Sequence, residues 1–189
     1  IYTISNHLIL EVRKNGLPEI TIVNLVTGSQ SDISFEDHAY DVSLSSNNEG
    51  ENLKFNYSYS SLTCPESIYS YDLDKNKSNL LWQKNIVGFD KADYEDKRLF
   101  VEVRDGTKVP VIFLSKVGID IKNAPILFYG YGSYGINIDA SFRSSILPLI
   151  DRGFVFAIIN IRGGGEMGKQ WYEEGRLLNK MNTFNDFND

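Results

Sequence analysis

From Ile1 to about Gly88 the chain alternates apolar and polar residues in short runs, and no window carries a helical period. That texture restricts this half to an all-β arrangement, because side chains two apart share a face only in a strand. The runs HLILEVRK, EITIVNLV, YDVSLS, NLKFNYSYS, SIYSYDL and NLLWQK are rich in β-branched and aromatic residues, and Gly or Asx residues punctuate them. Ile20, Asn24 and Leu25 have counterparts in Ile68, Asp72 and Leu73, each set behind a Pro-Glu pair. A repeat of roughly 40–50 residues, with several strands in each, is what a β-propeller blade produces. An antiparallel sandwich is the alternative that the pattern leaves open.

After Asp90 the texture changes. KRLFVEVRDGTKVPVIFLSK reads as two strands around an Asp105-Gly106 turn, followed by the apolar strand of APILFYGYGSYG. SFRSSILPLIDRG is apolar at helical spacing and predicts a helix ending at Gly153, shortened or kinked by Pro148. FVFAIINIRGGG is a continuous apolar run, as in a strand covered on both faces. Thr183 with Asp186 reads as a capping box that opens a last helix. Strand, helix, strand and helix behind an antiparallel hairpin begin an α/β sheet. The expected division is therefore 1–88, all-β blades, and 89–189, the start of an α/β domain.

A hydrophobic content of 42%, with 13% aromatic residues, supports a buried core and excludes a disordered chain. The net charge of -6, with no basic stripe, argues against a nucleic-acid partner. No apolar stretch approaches the ~18 residues of a membrane span. Cys64 is alone, so no internal disulfide forms, which fits a reducing compartment. The two N-x-[ST] triplets, at Asn56 and Asn76, are of a kind that arises often by chance.

Gly130, Gly132 and Gly135 spell G-x-G-x-x-G directly after a strand, which invites a dinucleotide reading. Against it, Asp151 precedes the next strand, whose end carries Asn160 and Arg162 where an acid is required, and Tyr131 and Tyr134 are bulky beside a pyrophosphate. The same loop suits an oxyanion hole, with Tyr131 or Tyr134 as a phenolic donor; packing tyrosines are the structural alternative.

PILFYGYGSYG, LIDRGFVFAIINIRGGGEMGKQWYEEGRLLNKMNTFNDF and the upstream YSYSSLTCPESIYSYDL resemble the prolyl oligopeptidase family of serine peptidases, and within it the oligopeptidase B branch. The resemblance runs from about Tyr57 to Asp189. It implies a mixed fold: the C-terminal part of a β-propeller followed by the N-terminal part of an α/β-hydrolase domain. It also implies a cytoplasmic endopeptidase that cleaves short peptides after Arg or Lys, without metal or organic cofactor. In this family the second tyrosine of YGYG, here Tyr131, gives its hydroxyl to the oxyanion. The loop Arg162 to Glu166 is expected near the active-site cavity in a structural role.

No G-x-S-x-G elbow occurs among the 189 residues. Gly132-Ser133 is the nearest approach to one, and the two histidines, His7 and His38, fall in the blade portion, where structural roles are expected. The nucleophile, acid and base are thus expected outside an internal piece that by itself hydrolyses nothing and needs the rest of its polypeptide to fold. Three alternatives stand beside this: a non-catalytic truncated product serving at most as a propeller binding module, a prolyl-specific peptidase, and an acyl-peptide-releasing one.

Overall fold

A computed structural model of the chain describes residues 1–45 and 53–189. The described residues form three four-stranded sheets. The first is a meander of β1 (Tyr2–Ile4), β2 (His7–Lys14), β3 (Leu17–Asn24) and β4 (Gln30–Asp32), each antiparallel to the next. The second repeats that plan with β5 (Tyr40–Leu44), β6 (Lys54–Ser61), β7 (Ser67–Asp72) and β8 (Lys77–Gln83). Asn52, at the head of NLKFNYSYS, lies outside the described residues.

The weak sequence repeat has a structural cause. Ile20 stands in β3 and Ile68 in β7, the third strand of each sheet. Asn24 and Asp72 close those strands and turn the chain in the same way. Asn24 Oδ1 accepts from the backbone N–H of Val26 and Thr27, and Asp72 Oδ1 from that of Lys75. The two meanders pack through one apolar cluster in which Ile9, Ile20 and Ile22 meet Val42, Phe55, Tyr57 and Tyr71. Both are blades of a β-propeller.

The third sheet is mixed. The hairpin β9 (Tyr94–Glu102) and β10 (Lys108–Lys116) turns at Asp105-Gly106, where Asp105 Oδ1 accepts from the Thr107 N–H. β12 (Val155–Ile159) lies antiparallel to β10, and β11 (Ile126–Tyr129) lies parallel to β12, giving the order β11-β12-β10-β9. Every residue of β12 is buried, as its unbroken apolar run requires. This is the start of an α/β-hydrolase sheet.

Pro148 shortens the first expected helix, as its place in the run requires, and the second expected helix opens elsewhere. SFRSSILPLIDRG forms only α1 (Leu147–Ile150), with Pro148 in its first turn and turns over 144–146. A helix running in from Ser144 would drive the Pro148 ring against the Ser144 carbonyl, so the helix begins where proline is tolerated. Thr183 and Asp186 do not open the last helix. α3 (Lys180–Asn188) starts three residues earlier, behind Asn179, and both side chains are diverted to partners across the fold. The sequence reading also passed over α2 (Lys169–Glu173) and the three-residue strands β1 and β4.

Blades and mixed sheet share a core: Ala39 and Leu62 pack with Ile112, Leu114, Phe156 and Ile158. Polar contacts border it. Arg13 makes a bidentate pair with Asp139, both bonds 2.8 Å, and Ser60 Oγ accepts from the Phe142 N–H. His7 sits beside Asn24 at the strand ends of the first blade, and His38, between β4 and β5, donates its backbone N–H to Asp96 of β9. Strands β8 and β11 carry exposed apolar side chains, among them Leu81, Trp82 and Phe128.

Candidate active site: the glycine loop behind the third strand of the mixed sheet

Beyond β11 the chain enters a loop whose course is set by close backbone approaches. Gly132 is left-handed, with φ of 59°, and a Cβ there would stand 2.6 Å from side-chain carbons of Ile161 and Thr183. A Cβ on Gly163 would collide with the Gly132 carbonyl, and one on Gly175 with the Gly163 nitrogen. The loop after β11, the turn after β12 and the segment before α3 therefore stack main chain on main chain, tied by Gly135 N–H to Gly163 O at 3.0 Å and Gly163 N–H to Trp171 O at 2.9 Å. The G-x-G-x-x-G run does not lead into a helix, since the next is the four-residue α1 at Leu147. A pyrophosphate would lack the helix N-terminus that the dinucleotide reading needs.

Tyr131 projects from this loop 45% exposed, and its hydroxyl has no partner among the described residues. Tyr134 is 80% exposed in a left-handed conformation, with φ of 58°. Ser133 sits between them, and its hydroxyl accepts from Lys180.

The turn after β12 is held by a buried ion pair. Arg162, 4% exposed, directs Nε and one terminal nitrogen to the Asp186 carboxylate, and its backbone N–H donates to the same carboxylate at 2.9 Å. Its other terminal nitrogen reaches Asp105 in the hairpin turn at 2.8 Å. The Asp186 hydrogen bonds raise the Arg162 pKa, and hydrogen bonds from Thr107 and then Arg162 lower Asp105 to about 2. Thr183 Oγ1 completes the junction by donating to Arg162 O and Gly175 O, at 2.7 and 3.1 Å.

Glu166 closes the loop from beneath. One carboxylate oxygen accepts from the Ile138 N–H at 2.9 Å and from Asn160 Nδ2 at 3.2 Å, while Oε2 is buried without a partner. Burial raises its pKa above 4.5. A raised acid pKa means that Glu166 favours folding below its unfolded value, and that this contribution is lost as pH rises through the folded value. Glu166→Gln keeps the accepting oxygen and removes the charge. Its stability relative to wild type should therefore increase from pH 4 to pH 7 in denaturant titrations; a difference independent of pH would show that Glu166 ionises normally.

The chain's matches follow the same layout. Residues 1–84 match the prolyl oligopeptidase N-terminal β-propeller domain, and residues 140–189 match the prolyl oligopeptidase family. The chain belongs to the prolyl oligopeptidase family. Over 180 residues it is 39% identical to a dipeptidyl aminopeptidase BI of Pseudoxanthomonas mexicana, covering 94% of this chain and 25% of that one. It is 34% identical over 189 residues to a protease 2 of Moraxella lacunata, covering 99% and 27%. Among solved structures, oligopeptidase B from Trypanosoma brucei superposes with a TM-score of 0.88 at 33% identity, over 98% of this chain and 28% of that one. The chain thus spans about a quarter of the length of the relatives it matches.

Of the residues singled out in the sequence, the prolyl oligopeptidase fold brings Tyr131, Ser133 and Arg162 into one region and leaves His7 and His38 in the blades. Lys180 and Asp186 escaped sequence reasoning as site residues. Lys180 and Asp186 act on groups 48 and 24 residues away, and no local pattern signals such a pairing.

Proposed function

We propose that these residues belong to a serine-type oligopeptidase that hydrolyses short peptides after Arg or Lys through an acyl-enzyme. The observation that carries this is Tyr131: an exposed phenol without a partner, on a braced glycine loop at the end of β11, in a prolyl oligopeptidase chain. In the reaction a serine oxygen attacks the scissile carbonyl, its proton passes to a base, and the carbonyl oxygen takes up negative charge. The Tyr131 hydroxyl donates to that oxygen, strengthening as charge develops. Collapse of the intermediate expels the amine, which takes the proton from the base.

Serine, base and acid are supplied by residues outside these 189, so the chain alone is inactive and leans on further polypeptide against β8 and β11. The division into blades and hydrolase is placed at 88/89. The oligopeptidase B likeness supports Arg or Lys specificity, and the protein is assigned to the cytoplasm, acting on peptides rather than on nucleic acid or membranes. A second reading, release of dipeptides from peptide N-termini, rests on the 39% identity to a protein of that name.

The test uses the complete native enzyme and three fluorogenic peptides: blocked Arg-Arg, blocked Gly-Pro, and a dipeptide with a free amino terminus. Preferred cleavage of the first, abolished by a serine-directed phosphonate, is the expected result. Preference for the second or third would replace the specificity, and resistance to the phosphonate would end the serine mechanism.

A further inference from the structure

Lys180, at the start of α3, is a half-buried ammonium turned towards the glycine loop. Nζ donates to the Gly132 carbonyl at 2.6 Å and to Ser133 Oγ at 2.8 Å, the two residues that follow Tyr131. No carboxylate lies within 4.0 Å of it among the described residues, whereas nearby Arg176 is paired with Glu173. A cation without an anion is a costly thing to bury, and burial lowers the Lys180 pKa. Charge-assisted bonds to a carbonyl and a hydroxyl are its compensation. Those acceptors have little freedom, because Gly132 is wedged between Ile161 and Thr183 and its carbonyl lies against Gly163. Lys180 also borders a pocket of about 240 Å3 shared with Ser133, Tyr134, Tyr172 and Arg176, so the ammonium sits between an open recess and the loop.

We infer that Lys180 is a positioning residue for catalysis: by holding the Gly132 carbonyl and the Ser133 hydroxyl it fixes the loop from which Tyr131 addresses the oxyanion. The inference rests on the oxyanion role of Tyr131 proposed above. A donor tied at the next residue loses little motion when the transition state forms, and small displacements of such a donor are costly in rate. The lysine itself touches no reacting atom. Packing against Ile161, Thr183 and Gly163 and the Gly135 hydrogen bond hold the floor and far side of the loop, while Lys180 supplies the hydrogen bonds that the Gly132 carbonyl and the Ser133 hydroxyl accept.

The experiment is a double-mutant cycle in the complete native enzyme, with Lys180→Met, Tyr131→Phe and the two combined, reading kcat and KM separately. Lys180→Met is expected to lower kcat roughly ten- to a hundredfold with KM within about twofold, the range over which misplaced catalytic groups act. Its loss should largely vanish in the Tyr131→Phe background, since the bond it positions is already gone. Lys180→Arg, which keeps a donor and a charge, should recover much of the rate. If Tyr131→Phe leaves kcat unchanged, the oxyanion reading fails, and Lys180 loses its role with it. If Tyr131→Phe lowers kcat but Lys180→Met does not, or the two losses multiply in full, only the positioning role is overturned. Should Lys180→Met not fold, Ser133→Ala removes one acceptor and is expected to lower kcat severalfold with the same dependence on Tyr131; independence from Tyr131 would overturn the role.

Discussion

Tyr131→Phe in the complete enzyme is expected to lower kcat by a factor on the order of 10² to 10³ and to leave KM nearly unchanged. The ring stays and only the hydroxyl goes, so neither the packing of the loop nor its course should change. Because the phenol has no partner among the described residues, the substitution leaves no orphaned acceptor behind. The loss falls on kcat because the oxyanion exists only in the transition state and intermediate, not in the bound peptide. Steady-state kinetics on the preferred peptide measure it. A kcat within twofold of wild type would remove Tyr131 from the reaction. Tyr134→Phe provides the contrast: its side chain is 80% exposed, and its rate should stay close to wild type.

The second large effect is on stability. Asp186→Ala should destabilise the enzyme by about 3 to 5 kcal/mol, the usual consequence of stripping the partner from a buried charge. The Asp186 side chain is 0% exposed and the Arg162 side chain 5% exposed. The carboxylate satisfies both the guanidinium and the Arg162 backbone N–H, so alanine leaves two kinds of donor unpaired at once. Asp105 still reaches the far nitrogen of Arg162, but it is 42% exposed and offers less. Denaturant midpoints of wild type, Asp186→Ala and Asp186→Asn would measure the effect. Asparagine keeps an acceptor and should lose less than alanine. Equal midpoints for all three would show that the junction of α3 with the turn after β12 does not depend on this pair.

Both effects depend on tertiary pairing, and that marks the boundary of what the sequence disclosed. The strands were legible because period-two alternation and Asx or Gly stops are local signals: HLILEVRK is β2 residue for residue. The repeat between ITIVNLVTG and IYSYDLDKN was legible because both are third strands of like meanders, closed by the same Asx turn. The hairpin at Asp105-Gly106 and the buried β12 declared themselves in the same way. Motif spacing named the glycine loop with Tyr131 or Tyr134 as its donor, and the choice of Tyr131 came from the family resemblance.

Helix boundaries were less legible. The apolar spacing of SFRSSILPLI fits a helical face, yet one proline decides where a helix can begin. Thr183 and Asp186 have the spacing of a cap, but their side chains gain more from buried partners, Arg162 and the Gly175 carbonyl, than a solvated helix end could offer. Composition and periodicity, then, determined the two textures, the blade repeat, the mixed sheet and the loop that bears the candidate donor. Tertiary structure alone decided that Lys180 braces that loop, that Glu166 is buried with an idle oxygen, and that Arg162 and Asp186 lock the turn beneath it. The physical reason is range: strands and turns follow from neighbours in the chain, whereas a buried charge is settled by whichever group the fold brings to it.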